Sequence, residues 1–293
     1  MPSLRRGGDH VPEEIPIRIA ATVLILDQRP DLHVLMLKRN ARSIFVGDMW
    51  VFPGGAVDPE DGSEQAEGLL KGLTDNEASA TLDLVTGGSA YWVAALRETF
   101  EEAGLVLTGG STPLDLSTPD VAARFERHRD ALNSGEREFL DIVSSEDLTL
   151  DGSGVHYVGR WVTPLGPPRR YDTRFFVTAM PVGQVPLHDN DEAVHHEWVR
   201  PADAVAASES GEILMLTPTV AMLQRLGLFA DVDAAMGAAA SGRPGDDEMV
   251  RIRYDVEGPH RIAFPADADY AQAEAHVESG MVRWPGPPNI SPP

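Results

Sequence analysis

The stretch Arg97-Glu98-Thr99-Phe100-Glu101-Glu102-Ala103-Gly104-Leu105 decides how this chain is read. On an α-helix, residues three and four apart share a face. Glu98, Glu101 and Glu102 therefore converge, while Tyr91, Ala95, Leu96, Thr99, Phe100 and Ala103 supply much of the opposite, buried stripe. The helix is expected from Ser89, a capping residue after the Gly87-Gly88 break, to about Ala103, with Gly104 closing it. Three carboxylates in its last turns break two local rules. Like charges at this spacing repel, and carboxylates there face the negative end of the helix dipole, each at a cost of a few tenths to roughly 1 kcal/mol. A hard cation reverses the sign of that cost, because Mg²⁺ takes oxygen ligands and sits beside substrate phosphates. A solvated acidic face is the other reading that three glutamates alone leave open.

Working outward, Ile17 to Leu26 and His33 to Leu37 read as strands joined by the turn Asp27-Gln28-Arg29-Pro30-Asp31, and Met49 to Phe52 as a short strand stopped by Pro53-Gly54-Gly55. A weakly helical stretch runs from Glu64 to Val85. Downstream, Pro119 to Ser144 predicts one or two amphipathic helices, and Tyr157 to Val162, Arg174 to Met180 and Glu197 to Val199 predict strands. Ala202 to Ala207 and Thr217 to Leu228 read as helices, Ala234 to Asp247 as a small-residue linker, and Val250 to Tyr254 with His260 to Phe264 as a late hairpin. The tail from Trp284 holds five prolines and is expected to be extended or disordered. Strands and helices mix without strict βαβ alternation, which favours an α+β sandwich with a mixed sheet.

Composition narrows the function. Among 293 residues, 46 are acidic and 24 basic, a formal net charge of −22, and none is cysteine. Disulfides, thiolate metal sites, iron–sulfur clusters and a cysteine nucleophile are excluded. The acidic field repels phosphate backbones and anionic membranes, so neither nucleic acid nor membrane is an expected partner. The first apolar run is too short to span a bilayer and lacks a cleavage site, so a cytoplasmic location is the expectation.

The order strand, Phe52-Pro53-Gly54-Gly55, loop, Arg97-Glu98-x-x-Glu101-Glu102-x-Gly104-Leu105 resembles the Nudix hydrolase family, whose box is G-x5-E-x7-R-E-U-x-E-E-x-G-U with U apolar. Three departures stand out. Thr99 replaces an apolar residue. Gly55 and Arg97 lie 42 residues apart, so about 28 residues are inserted. The position eight before Arg97, that of the first box glutamate, is Ser89, with Glu67, Glu77 or Asp83 as substitutes. An insertion at this place is a feature of a branch that includes peroxisomal acyl-CoA diphosphatases. The stretches Leu35–Arg39, Val51–Asp58, Trp161–Pro164 and Pro168–Phe176 are also similar to that branch. A stricter coenzyme A pattern before the box is partly met by Arg39, Arg42 and Gly47.

The resemblance implies an α+β fold of Nudix type: an α/β/α sandwich with a mixed β-sheet, a helical insertion at about residues 58–88 and a C-terminal extension. On this division, 1–14 is a flexible N-terminus, 15–232 the Nudix domain, and 233–293 the extension with its hairpin and proline-rich tail. The implied activity is Mg²⁺-dependent hydrolysis, with Mn²⁺ as the alternative cation, of a pyrophosphate linkage in a small nucleoside diphosphate derivative such as CoA or acyl-CoA. ADP-ribose, NADH or a nucleoside triphosphate are rival substrates, and a binding module without turnover is the rival class. Glu98, Glu101, Glu102 and the Gly54 carbonyl are the implied metal ligands, with Glu98 as ligand or base. Arg97 orients the glutamates, and Glu192 is the candidate for a further glutamate from a distant loop, as base or ligand. Arg39, Arg169, Arg170 and Arg174 are candidate substrate contacts, since arginine forks suit phosphate oxygens. His195-His196 alternate faces on a strand and do not form a joint metal site. Trp161, Tyr171 and Phe175 are read as core before stacking platforms. A homodimer is compatible with the family.

Overall fold

The computed structural model describes residues 15–41, 47–109, 114–164, 167, 169–189, 191–253, 261–273 and 280–287. In chain order, the strands and helices up to the glutamate helix are β1 (Ile17–Arg29), β2 (Asp31–Arg39), β3 (Trp50–Val51), β4 (Gly54–Ala56), α1 (Glu64–Leu69), β5 (Leu70–Lys71), α2 (Asp75–Thr81) and α3 (Ser89–Ala103). Then follow α4 (Pro119–Asn133), α5 (Phe139–Ser145), β6 (Leu150–Asp151), β7 (His156–Val162), β8 (Arg170–Ala179), β9 (Ala193–Val199), α6 (Pro201–Glu209), α7 (Thr217–Leu226) and α8 (Val232–Ser241). The chain ends in β10 (Glu248–Met249), β11 (Arg251–Arg253), β12 (Arg261–Ala263) and β13 (Met281–Val282).

A mixed sheet forms the middle layer. Its path is β10-β13-β7-β8-β1-β2-β3, with β4 on β1 and β9 on β2. β1 and β8 run parallel from Ile17↔Arg170 to Leu26↔Ala179, and their neighbours are antiparallel. β1 alternates its buried residues between two cores, as a strand covered on both faces must. Ala21, Val23 and Ile25 face α3, together with Trp92, Leu96, Phe100 and Phe176. Leu24 and Leu26 face α7 and α8, with Met222, Leu226 and Trp284. Trp161 and Phe175 belong to this second core, each at most 6% exposed, so they pack as the sequence suggests. Among the described residues, no helix is long and apolar enough to cross a membrane.

Two features of the sheet position the site. β1 and β2 pair only between Leu26↔Val34 and Arg29↔Asp31, closing a turn around Pro30 that is tighter than the five-residue turn expected. Beyond that they splay. β3 pairs with β2 and β4 pairs with β1 inside the gap. The Gly54-Gly55 pair, expected to end a strand, thus itself forms a strand against Ala21 and Thr22.

Other departures have local causes. The stretch from Glu64 to Val85 divides into α1 and α2, each with a side-chain cap, from Ser63 and Thr74. The segment read as a linker from Ala234 is instead mostly helical: Asp231 caps α8, whose alanines are good helix formers and whose Ala235 and Ala239 are buried. β11 and β12 form the expected hairpin. After β13, Arg283 and Trp284 lie 2% and 1% exposed. The Arg283 guanidinium donates to Asp247, to Asp83 and to the Thr81 carbonyl, and lies 5.2 Å from the Tyr157 ring centroid. One C-terminal arginine thereby ties the segment after α2 to the sheet.

Candidate active site

α3 runs over the residues its sequence predicts, Ser89 to Ala103, and Gly104 ends it at φ 68°, ψ 15°, the left-handed conformation glycine adopts without strain. The cap at its start is different from the expected one. Gly88 is the capping position, and the Asp75 carboxylate reaches back to accept from the Ser89 amide and hydroxyl (3.0 and 2.9 Å) and from the Gly87 amide (3.0 Å). These bonds hold the Asp75 carboxyl down at about 2 against its burial. The insertion therefore supplies the anchor for the helix that follows it.

Arg97 is the centre of the carboxylate cluster. It is 8% exposed and makes a fork with Asp61, Nε to Oδ1 at 3.0 Å and Nη2 to Oδ2 at 2.9 Å. Nη1 donates to Glu98 Oε1 (2.9 Å) and Glu101 Oε1 (3.0 Å), and Nη2 to the Ala56 carbonyl (2.8 Å). Burial opposes the guanidinium charge, but Asp61, Glu98 and Glu101 outweigh it and hold Arg97 protonated.

Asp61 is the functional residue that the sequence reading missed. It is 2% exposed. Counted backwards from Arg97, the first box glutamate falls on Ser89. Counted forwards from Gly55, six residues on, it falls on Asp61, so the 28-residue insertion lies after that position. Of the substitutes considered, Glu77 closes a capping box with Thr74, Asp83 pairs with Arg283, and Glu67 is exposed. Thr99, the other departure from the box, is fully buried with its hydroxyl donating to the Ala95 carbonyl at 2.8 Å. A threonine satisfied in this way serves as a core residue.

The three glutamates do converge. Glu98 and Glu102 are 8% and 4% exposed, and Glu101 is half-buried. The Gly54 amide donates to Glu102 Oε2 at 2.8 Å. A Cβ on Gly55 would lie 2.4 Å from Glu98 Oε1, so the box glycine leaves room for that carboxylate. Burial raises the Glu98 carboxyl to about 8, with Arg97 pulling it down and Glu101 pushing it up. Burial and then the charge of Glu98 hold Glu102 well above the usual carboxylate range, and burial raises Glu101 as well. This donor set is all oxygen, and burial with the mutual repulsion of Glu98 and Glu102 keeps those two from ionising freely in the metal-free fold. Oε2 of Glu98 and of Glu101 accepts no hydrogen bond among the described residues. Among those residues no three His, Asp or Glu side chains stand at ligating distance from one point, and Arg97 takes one oxygen of Glu98 and one of Glu101. The chemistry of these oxygen donors fits a hard divalent cation.

Arg39 bridges to a second acidic element. Its Nη1 lies 3.9 Å from Glu102 Oε1 and its Nη2 lies 3.6 Å from Glu192 Oε2, both long ion pairs. Glu192 is exposed and sits on a loop zipped to the end of α3, where the Leu187 amide donates to the Ala103 carbonyl at 2.9 Å. Asp189 shapes that loop, accepting from the amides of Asp191, Glu192 and Ala193. His196 hydrogen-bonds His188 through their Nδ1 atoms at 2.8 Å, while His195 meets Trp50 edge-on. The His195 ring also lies 6.4 Å from that of His188 and 6.3 Å from that of His196, so the three imidazoles cluster where the β2–β9 register shifts, and the separation expected from strand alternation is not kept. Arg170 and Arg174 are each 3% exposed: Arg170 Nε donates to the Thr163 carbonyl (3.0 Å), and Arg174 pairs with Asp172 over the Tyr91 ring. Arg169 is exposed, and Arg42 lies outside the described residues.

Comparison with known proteins agrees with this geometry. Residues 9–226 match the model of the NUDT19 Nudix domain. The acyl-coenzyme A diphosphatase NUDT19 of Homo sapiens is 27% identical over 231 residues, covering 68% of this chain and 62% of that protein. Its Gallus gallus counterpart is 29% identical over 240 residues, covering 69% and 63%. The chain thus spans less than two thirds of the length of these relatives. A crystal structure of a NUDIX hydrolase from Alicyclobacillus acidocaldarius superposes with a TM-score of 0.59 at 29% identity, covering 77% of this chain and 97% of that one. With the box residues in place around Arg97 and the family model covering most of its length, this chain belongs to the NUDT19 Nudix domain family.

Proposed function

We propose that this chain hydrolyses the pyrophosphate linkage of a CoA-type nucleoside diphosphate derivative in a reaction dependent on Mg²⁺, with Mn²⁺ as the alternative. One observation carries the proposal. Glu98 and Glu101 share the Arg97 guanidinium, Glu102 takes the Gly54 amide on the same helix face, and all three carboxyls are raised, chiefly by burial. Such a cluster is costly in a resting fold and is relieved by a divalent cation. Glu98, Glu101, Glu102 and the Gly54 carbonyl would hold it. When bound, the cation neutralises bridging phosphate oxygens and makes hydroxide available near neutral pH.

The chain's own residues divide the remaining work. Arg97, fixed by Asp61, sets the spacing of Glu98 and Glu101. Arg39 stands between Glu102 and Glu192 in two long ion pairs, where a phosphate oxygen offers its fork a better partner. Glu192 is exposed at the edge of the cluster and is the proposed base that takes the proton of the attacking water. The CoA preference rests on the similarity to the acyl-coenzyme A diphosphatases.

The deciding experiment offers the purified chain, with Mg²⁺, a panel of CoA, acyl-CoA, ADP-ribose, NADH and nucleoside triphosphates, with products identified by mass. Cleavage of the CoA pyrophosphate into two phosphate-bearing halves is expected. Preferential cleavage of another member of the panel overturns the substrate, and tight binding with no cleavage overturns the activity.

A further inference from the structure

α4 lies outside the box residues and is polar along its length, but two of its residues, Phe125 and Arg129, are buried. They are four apart and share a face. Phe125 packs edge-on to Phe100 of α3, ring centroids 6.4 Å apart. Arg129, 8% exposed, lies one turn further along, at the carboxylate end of α3. Its Nε donates to the Glu101 carbonyl at 2.8 Å, and Asn133 of the same helix approaches that carbonyl at 3.4 Å. Helix ends leave their last carbonyls without intrahelical donors. Here the amides of Leu105, Gly104 and Leu187 serve the carbonyls of Thr99, Phe100 and Ala103, and Arg129 serves Glu101.

The guanidinium has no carboxylate within ion-pair distance among the described residues, and its Nη2 is buried there without a hydrogen-bond partner. An unpaired buried cation is expensive. Burial lowers its pKa, opposed first by the charge of Asp189 and then by those of Asp130 and Glu102. Its compensation is thus spread over the negative end of α3, the innermost glutamate and the loop that carries Glu192. The three elements meet at Gly104, where a Cβ would stand 3.2 Å from Arg129 Nη1 and 3.6 Å from the Leu187 carbonyl.

We infer that Arg129 is a positioning residue for the reaction proposed above: it fixes the last turn of α3, bearing Glu101 and Glu102, against the loop that presents Glu192. It acts through the Glu101 main chain and through charge, and touches no reacting atom. The inference rests on the metal-dependent reading of the glutamate cluster.

The test compares Arg129→Met, which keeps the apolar bulk, with Arg129→Lys, which keeps the charge and one donor. Mn²⁺ affinity is measured by titration calorimetry, and kcat and KM are measured on the substrate the panel identifies. Arg129→Met is expected to weaken Mn²⁺ binding and lower kcat by about tenfold to a hundredfold, with KM within about threefold, and Arg129→Lys to recover most of both. Unchanged Mn²⁺ affinity and kcat in a folded Arg129→Met protein overturns the inference. A rise in KM alone also overturns it, since that marks a direct substrate contact. If Arg129→Met does not fold, Arg129→Lys decides: parental stability with a partial loss in Mn²⁺ affinity and kcat supports positioning, and parental values throughout or a loss of stability alone overturn it. A parent chain that binds no Mn²⁺ and turns over nothing removes the metal-dependent reading itself, and this inference with it.

Discussion

Replacing Glu98 by glutamine isolates the cost of the carboxylate cluster. Gln keeps the shape and an oxygen for Arg97 Nη1 to donate to, and removes the charge. The Glu98 carboxyl is raised from 4.5 to about 8 in the folded chain. A folded pKa above the unfolded one means that its contribution to stability is fully present below pH 4.5 and is lost as pH rises towards 8. The isoelectric point near 4.6 keeps the experiment above pH 5.5. From there to pH 8 the loss is about 3 kcal/mol at roughly 1.4 kcal/mol per pH unit, shared with Glu102 because the two carboxyls titrate together. The metal-free Glu98→Gln protein is therefore expected to gain on its parent as pH rises. The difference in Tm should widen by about 5 °C between pH 5.5 and pH 8.5, at roughly 1.6 °C per kcal/mol for 293 residues with about 2.1 cal/mol/K of unfolding entropy each. The assay is a thermal melt in chelator at both pH values, with a parallel series in Mg²⁺. Mg²⁺ should restore the parent at pH 8.5 and help the variant far less, and the variant should be nearly inactive. A constant Tm difference across the pH range would refute the reasoning, because Glu98 would then titrate near its ordinary value.

Mg²⁺ should bind the parent more tightly as pH rises from 6 to 8, since Glu98 and Glu102 must release protons to ligate it; calorimetry in two buffers of different ionisation enthalpy counts those protons. Glu101→Gln and Glu102→Gln should each lower kcat by orders of magnitude with the fold retained by circular dichroism, and unchanged rates would remove both from the metal site. Asp61→Ala should destabilise the chain by about 3 kcal/mol or more in denaturant melts, because it leaves the Arg97 fork buried without its partner, whereas Glu77→Ala, which removes only an exposed half of a capping box, should have a much smaller effect. Gly55→Ala should abolish activity with a smaller effect on stability, since its Cβ displaces the Glu98 carboxylate.

Periodicity and spacing determined a good deal of this protein. The bounds of α3, the convergence of Glu98, Glu101 and Glu102, the mixed α+β character and the late hairpin are local properties, set by side-chain period, capping residues and one glycine at Gly104. The sequence also held the position of Asp61, six residues after Gly55, but two counting directions disagree across an insertion and nothing local says which is right. Only the tertiary structure decided it, by burying Asp61 against Arg97. The same holds for Asp75 capping a helix 14 residues away, for Arg283 tying the C-terminal segment to residues 81 and 83, and for Arg129 closing the end of α3 from another helix. Each is a charged side chain meeting a partner distant in sequence, and Asp61, Arg283 and Arg129 meet theirs while buried. Helical and strand periods report which face a residue occupies, whereas the partner of a buried charge is chosen by how the faces pack.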